Sequence, residues 1–244
     1  MRVERILVLG GTGLAREAAD ALVMRGIHVV TSLAGVTRSP HLPKGEIRTG
    51  GFGGIEGLVA YLGAENFDCV VDATHPFAAQ MAAHAAAACT RAGVNLLRLE
   101  QAPWQDQKGD QWRNVASVAA AVEAIAPEDK VAVTVGRKEI GAFFARTDLS
   151  GVARMIEPPD VDVPAAWELM LERPPFTLAA EIDLLRANQI QVLVSKNAGG
   201  ARVTKLDAAA ALSIPVFMVA RPPKPVVDSV ATVAELLGRL GLPG

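Results

Sequence analysis

Short continuous apolar runs alternate along this chain with alanine-rich stretches whose apolar positions recur at helical spacing. A run without polar interruption suits a strand covered on both faces, and alternation of such strands with helices predicts parallel sheets. The first run, 5–9, reads as a strand and 14–25 as a helix ending at Gly26, a residue able to take the left-handed cap conformation. Strand 27–33 follows. Ile47 begins a short third strand that ends at the cluster Gly50, Gly51, Gly53 and Gly54. Helix 55–62, strand 68–73, a long helix from about 77 to 92 and strand 95–99 complete a first alternating series.

The stretch 100–113 breaks the pattern. It holds Pro103, two tryptophans and several charges with no clear period, so a domain boundary is expected there. The alternation then resumes with helix 115–125, strand 130–135, strand 152–156, a proline-rich turn (Pro158, Pro159, Pro164) and helix 178–187. Strand 190–195, helix 204–212, strand 215–220, the proline-rich link 222–225 and a last helix over 229–240 close the chain. The expectation is therefore an α/β protein of two doubly wound, Rossmann-like domains with parallel sheets and a cleft between them. Residues 1–100 form the first and 101–244 the second, and the last helix is free to pack back on the first.

Composition narrows the function classes. Of 244 residues, 50% are apolar and 20% charged, enough to bury a sizeable core, and a net charge of −2 offers no general basic field for nucleic acid or an anionic membrane. Two cysteines, Cys69 and Cys89, are too few for a disulfide framework or a thiolate metal site and read as buried free thiols. No apolar stretch reaches membrane-spanning length, and the first residues run straight into a strand rather than a signal peptide, so a soluble, cytoplasmic protein is expected.

Candidate chemistry lies at strand ends. Gly10, Gly11, Thr12 and Gly13 take the chain from strand to helix within four residues, where glycines admit close backbone approach and free N–H groups point at an anion. Arg16 stands where the dinucleotide fingerprint has its third glycine, and a tight turn that only packs the helix is the competing reading. An NAD site wants an acid at the end of the second strand. The stretch 31–38 has none, and offers Ser32, Ala34, Gly35 and Arg38 instead, a set suited to the 2′-phosphate of NADPH. Arg38 otherwise reads as a solvated loop cation. Thr74 and His75 leave the strand 68–73 ahead of Pro76, which suits a first helical position; they contact the coenzyme, or cap and pack the helix. Proton donation by His75 is a further option. No histidine pair has metal-ligand spacing, so no metal is expected.

In the second half, cations converge on one sheet edge: Arg137 and Lys138 after one strand, Lys196 and Asn197 with Gly199 and Gly200 after another, Thr204 and Lys205 opening the next helix, and Arg221 after the last strand. In a slightly acidic protein this clustering implies an anionic ligand, and a scatter of solvated helix-end cations is the competing reading. The only tyrosine, Tyr61, has Glu65 rather than lysine four residues on, which excludes short-chain dehydrogenase chemistry, and neither a nucleophile elbow nor a P-loop is present.

These blocks together resemble the precorrin-6A (precorrin-6x) reductases of cobalamin biosynthesis. The likeness rests on Gly10-Gly-Thr-Gly13, Gly51-Phe-Gly-Gly54 with Gly57-Leu58, Asp72-Ala-Thr-His-Pro-Phe-Ala78, Gly136-Arg-Lys-Glu139, Ser195-Lys-Asn-Ala-Gly-Gly200, Ile214-Pro-Val and Arg221-Pro222, in order along nearly the whole chain. The resemblance implies an oxidoreductase in which NADPH reduces a double bond of metal-free precorrin-6A to give precorrin-6B. It sets the second-half cations against the acetate and propionate arms of the tetrapyrrole. His75 and Lys196 are the candidate catalytic groups, and solvent, His75 or a substrate carboxyl are all open as the proton donor. A monomer is expected, and neighbouring enzymes of the cobalamin pathway are its expected protein partners; nucleic acid and membrane are not. A reductase of another anionic metabolite and a non-catalytic NADPH sensor remain as alternatives.

Overall fold

The computed structural model describes residues 3–35 and 42–242. It begins with the strand β1 (Arg5–Leu9), whose apolar run is buried on both faces as its lack of alternation predicts. Ile6 and Val8 point into one core layer, and Leu7 and Leu9 into the other. The elements that follow are α1 (Gly13–Val23), β2 (His28–Leu33), β3 (Glu46–Thr49), α2 (Gly54–Glu65), β4 (Cys69–Asp72), α3 (Ala79–Ala92) and β5 (Asn95–Leu99). Then come β6 (Trp112–Val115), α4 (Val118–Ala124), β7 (Lys130–Thr134), α5 (Gly141–Phe144), β8 (Ser150–Met155), β9 (Trp167–Leu171) and α6 (Leu178–Ala187). The chain ends with β10 (Val192–Lys196), α7 (Thr204–Ala211), β11 (Val216–Val219), β12 (Asp228–Val230) and α8 (Val233–Arg239).

The chain divides into two units, one formed by Met1–Ala102 with Pro223–Gly244 and the other by Pro103–Pro222. Each holds a parallel sheet of six strands, in the orders β3-β2-β1-β4-β5-β12 and β9-β8-β7-β10-β11-β6. The strands β1–β5 and β7–β11 thus repeat one winding. The sixth positions are exchanged: β6 follows β5 in the chain but pairs with β11, whereas β12 follows β11 but pairs with β5. In the two sheets the winding reverses beside the first strand of the repeat, between β1 and β4 and between β7 and β10. Crevices at such reversals are where open α/β sheets take ligands.

The first sheet is covered on one face by α1 and α8, through Ala15, Ala18, Leu22, Leu236 and Leu237. Its other face is covered by α2 and α3, through Leu58, Leu62, Ala85 and Cys89. Leu185 of α6 and Leu206 of α7 pack on the second sheet with Ala132, Val152, Leu193 and Val216. Small alanines on the helices bring these layers close, which explains the alanine-rich composition.

Several boundaries differ from the sequence expectation. The stretch without period runs into β6, an edge strand of partly exposed residues whose register comes from β11 rather than from a buried face. The helix expected over 115–125 starts only at Val118, because the Ser117 hydroxyl caps it by accepting from the Ala120 amide at 3.1 Å. The helix expected over 229–240 is β12 followed by α8, whose cap Thr232 accepts from the Glu235 amide at 3.1 Å. Pro76 does not open α3. A turn in which the Ala78 amide donates to the His75 carbonyl at 2.8 Å precedes the helix, which begins at Ala79. The edge strand β9 was not expected, and β8 starts two residues before the predicted strand 152–156.

Candidate functional site

At the first reversal, β1 and β4 run in register with Leu9 opposite Asp72, so the turns that leave them are neighbours. Thr12 ties them together. Its hydroxyl donates to the Ala73 carbonyl at 2.9 Å and accepts from the Ala15 amide at 3.0 Å, capping α1. The glycines divide the work. A Cβ on Gly10 would lie 2.9 Å from the Thr31 methyl, so Gly10 serves packing. Gly11 has φ +111° and, like Gly13, has no atom within 4 Å of where a Cβ would sit. An exposed turn with that space before a helix N-terminus fits the diphosphate of a dinucleotide.

Thr74 is not a helix cap. Its hydroxyl donates to Asp72 Oδ1 at 2.7 Å, while Asp72 Oδ2 accepts from Arg98 Nε at 3.3 Å. Asp72 and Arg98 are both buried, and Arg98 also donates to the Pro225 carbonyl at 2.9 Å. This buried pair sets the loop geometry and leaves His75 exposed at the strand end, its Nδ1 accepting from the Phe77 amide at 3.2 Å.

The end of β2 carries no carboxylate: Ser32 is buried, and Ala34 and Gly35 are exposed. Arg38 lies outside the described residues. The cation that the structure does place at this edge is Arg48, opposite Ser32 in the β2–β3 register. Sequence reading passed over it, although an arginine just ahead of the Gly50–Gly54 cluster, on the strand beside β2, was a usable signal.

At the second reversal stand Val135–Glu139 after β7 and the loop that follows Lys196 at the end of β10. Lys138 is exposed, Arg137 Nη1 donates to Asp160 at 3.2 Å, and Lys196 pairs with Glu139. Gly199 and Gly200 take φ values of +76° and +82°, which explains glycine at both. Other expected ligands are engaged within the unit. Asn197 accepts from the Trp104 amide at 2.7 Å and donates to the Trp104 carbonyl at 3.0 Å. Arg221 donates to the carbonyls of Asn197 at 3.0 Å and Ala198 at 2.8 Å, bracing the loop that follows Lys196. The Thr204 hydroxyl donates to the Phe176 carbonyl at 3.1 Å. Lys205 turns inward and donates to Thr134 Oγ1 at 2.8 Å, beside the buried pair of Arg154 and Glu181. Burial pushes the Lys205 ammonium down to about 8, the Arg154 charge adding to the fall and Glu181 opposing it.

The sequence profile described as precorrin-6x reductase CbiJ/CobK matches residues 5–240. A precorrin-6A reductase from Rhodococcus erythropolis is 45% identical over 244 positions, covering 97% of this chain and 98% of that protein. The chain belongs to the precorrin-6x reductase CbiJ/CobK family. It is thereby an oxidoreductase acting on a CH–CH group. A solved structure titled CobK precorrin-6A reductase superposes with a TM-score of 0.91 at 41% identity, covering 98% of this chain and 96% of that one. A cobalt-precorrin-6A reductase from Priestia megaterium is more distant, 27% identical over 89% of this chain and 90% of its own length. Cys69 and Cys89 are free and buried, as the sequence predicts, and desolvation pushes both thiols up to about 12. Among the described residues no helix is long and apolar enough to cross a membrane.

Proposed function

We propose that this protein reduces one double bond of metal-free precorrin-6A with NADPH, giving precorrin-6B in cobalamin biosynthesis. The observation that carries the reading is the contrast between the two reversals. The first presents an open glycine turn at a helix N-terminus beside Thr74 and His75; the second presents Arg137, Lys138 and Lys196 at strand ends. A turn of the first kind suits a diphosphate, and cations of the second kind suit the carboxylate arms of a tetrapyrrole. The metal-free substrate follows the relatives above 40% identity, which are named for precorrin-6A, while the more distant relative is named for its cobalt form.

When bound, the nicotinamide supplies a hydride, and the carbon next to the acceptor gains a proton. Gly11, Gly13 and the capped start of α1 hold the diphosphate, and the Thr12 bond to the Ala73 carbonyl keeps His75 beside that turn. Arg137, Lys138 and Lys196 hold carboxylates and position the ring, the main contribution a protein makes to hydride transfer. His75 and Lys196 are the protein candidates for delivering the proton, with solvent and a substrate carboxyl group as the other sources.

The test is anaerobic mixing of enzyme, NADPH and precorrin-6A. The expected result is loss of the reduced-nicotinamide absorbance together with a product heavier by two hydrogens. No consumption with this substrate refutes the activity, equal turnover with NADH refutes the coenzyme assignment, and faster turnover of the cobalt form refutes the metal-free one. Lys196→Ala raises the substrate KM; an unchanged KM removes Lys196 from the site.

A further inference from the structure

We infer that Arg48 is the residue that reads the 2′-phosphate of the coenzyme, held for that task by its stack on Phe52. The inference rests on the proposed NADPH dependence and adds a specificity determinant to it. Arg48 sits on β3 directly opposite Ser32, and the β2–β3 pairing continues past both strands where the Gly50 amide donates to the Leu33 carbonyl at 2.9 Å. The guanidinium therefore stands at the end of β2, where a dinucleotide site recognises the adenosine ribose.

Its partners are all uncharged. Nη1 donates to the Gly50 carbonyl at 2.7 Å and lies 3.5 Å from Ser32 Oγ, and Nη2 donates to the Gly51 carbonyl at 2.8 Å. The Cζ atom stands 3.9 Å from the Phe52 ring centroid and 5.2 Å from that of Tyr61. Among the described residues no carboxylate pairs with it, whereas Arg5, Arg98 and Arg154 each meet one. A guanidinium carries five N–H donors, and these contacts occupy three. A half-buried cation with donors to spare and no counter-charge is under-compensated, and a phosphate dianion supplies what it lacks.

The surrounding glycines hold this arrangement. Gly50, Gly53 and Gly54 take φ values of +96°, +80° and +87°, curling the segment so that the carbonyls of Gly50 and Gly51 face Arg48. A Cβ on Gly57 would lie 1.7 Å from the Phe52 carbonyl oxygen, so only glycine in α2 lets the Phe52 backbone settle there. The Gly51-Phe-Gly-Gly54 block with Gly57 thereby acquires a physical role: it seats the ring on which Arg48 lies.

The experiment is calorimetric titration of the intact protein with adenosine 2′,5′-bisphosphate and with 5′-AMP, for wild type, Arg48→Gln, Arg48→Lys and Phe52→Leu, with melting temperatures to establish folding. Wild type is expected to prefer the bisphosphate. Arg48→Gln loses about 10–100-fold on the bisphosphate, the worth of charge-assisted hydrogen bonds, and keeps its affinity for 5′-AMP. Arg48→Lys recovers part of the loss, and Phe52→Leu shows a smaller loss of the same kind. A folded Arg48→Gln that still prefers the bisphosphate, or loses both ligands equally, overturns the inference and leaves NADPH dependence standing. A wild type without preference overturns both.

Discussion

Lys205 offers the sharpest test of the site geometry, because position on a strand-end edge and observed packing assign it opposite roles. As a substrate ligand its ammonium would face water and titrate normally. In the structure it donates to Thr134 Oγ1, which itself donates to the Val194 carbonyl at 3.0 Å, and its pKa falls from 10.5 to about 8. The unfolded chain keeps this proton until near the ordinary lysine value, while the folded protein releases it near 8. Between those limits the unfolded state binds more protons, so stability rises with pH; below them the cost of the enclosed charge is fully present. The slope is about 1.4 kcal/mol per pH unit and the whole effect roughly 3 kcal/mol. Lys205→Met keeps the apolar stem and removes the charge. After subtracting about 1 kcal/mol for the hydrogen bond to Thr134, the variant should be roughly 2 kcal/mol more stable than wild type near neutral pH. That advantage should vanish as pH approaches the ordinary lysine range. Urea unfolding of both proteins across that span reads the difference directly. A difference independent of pH would place the ammonium in water and return Lys205 to the substrate.

Gly151→Ala should abolish stable folding of the second sheet, since its Cβ would sit 2.0 Å from the Val131 carbonyl oxygen at a φ of +145°. A melting temperature within about 2 °C of wild type contradicts the strand register. Asp72→Asn strips the counter-charge from buried Arg98 and should cost about 3–5 kcal/mol in urea unfolding, with Arg98→Met added to it restoring most of the loss. Gly57→Ala should weaken adenosine 2′,5′-bisphosphate binding in calorimetry along with lowering the melting temperature, because the displaced Phe52 carries Arg48 with it.

What the sequence disclosed and what it hid divide along physical lines. Strands buried on both faces, such as β1 and β4, announce themselves as unbroken apolar runs, and the α/β class followed from them. The edge strands β6 and β9 consist mostly of part-buried and exposed residues, so their pairing leaves no period to read. Charged side chains at strand ends were found as a group, but residue type alone does not tell which face outward. Asn197, Thr204 and Arg221 brace loops and Lys205 props a strand end, and those distinctions come from partners dozens of residues away in the chain. Arg48 was hidden for the converse reason. Its importance comes from register with Ser32, a relation between two strands that neither shows on its own.

The exchange of sixth strands follows the same logic at the level of the fold. Chain order places β12 and α8 after the second half, with the last helix left free to pack back, and their apolar residues Val230, Val233, Leu236 and Leu237 complete a core whose other members include Ile6, Val8, Leu22 and Leu97. The covering of one face of the first sheet therefore depends on residues made after the whole second unit. The second unit, by contrast, is a continuous segment with its own β6 edge. Arg98 extends this dependence to the site, because the guanidinium that pairs with Asp72 also holds the carbonyl of Pro225 at the start of the returning segment. The loop bearing Thr74 and His75 is thus set by a bond network that closes only when the last part of the chain is in place.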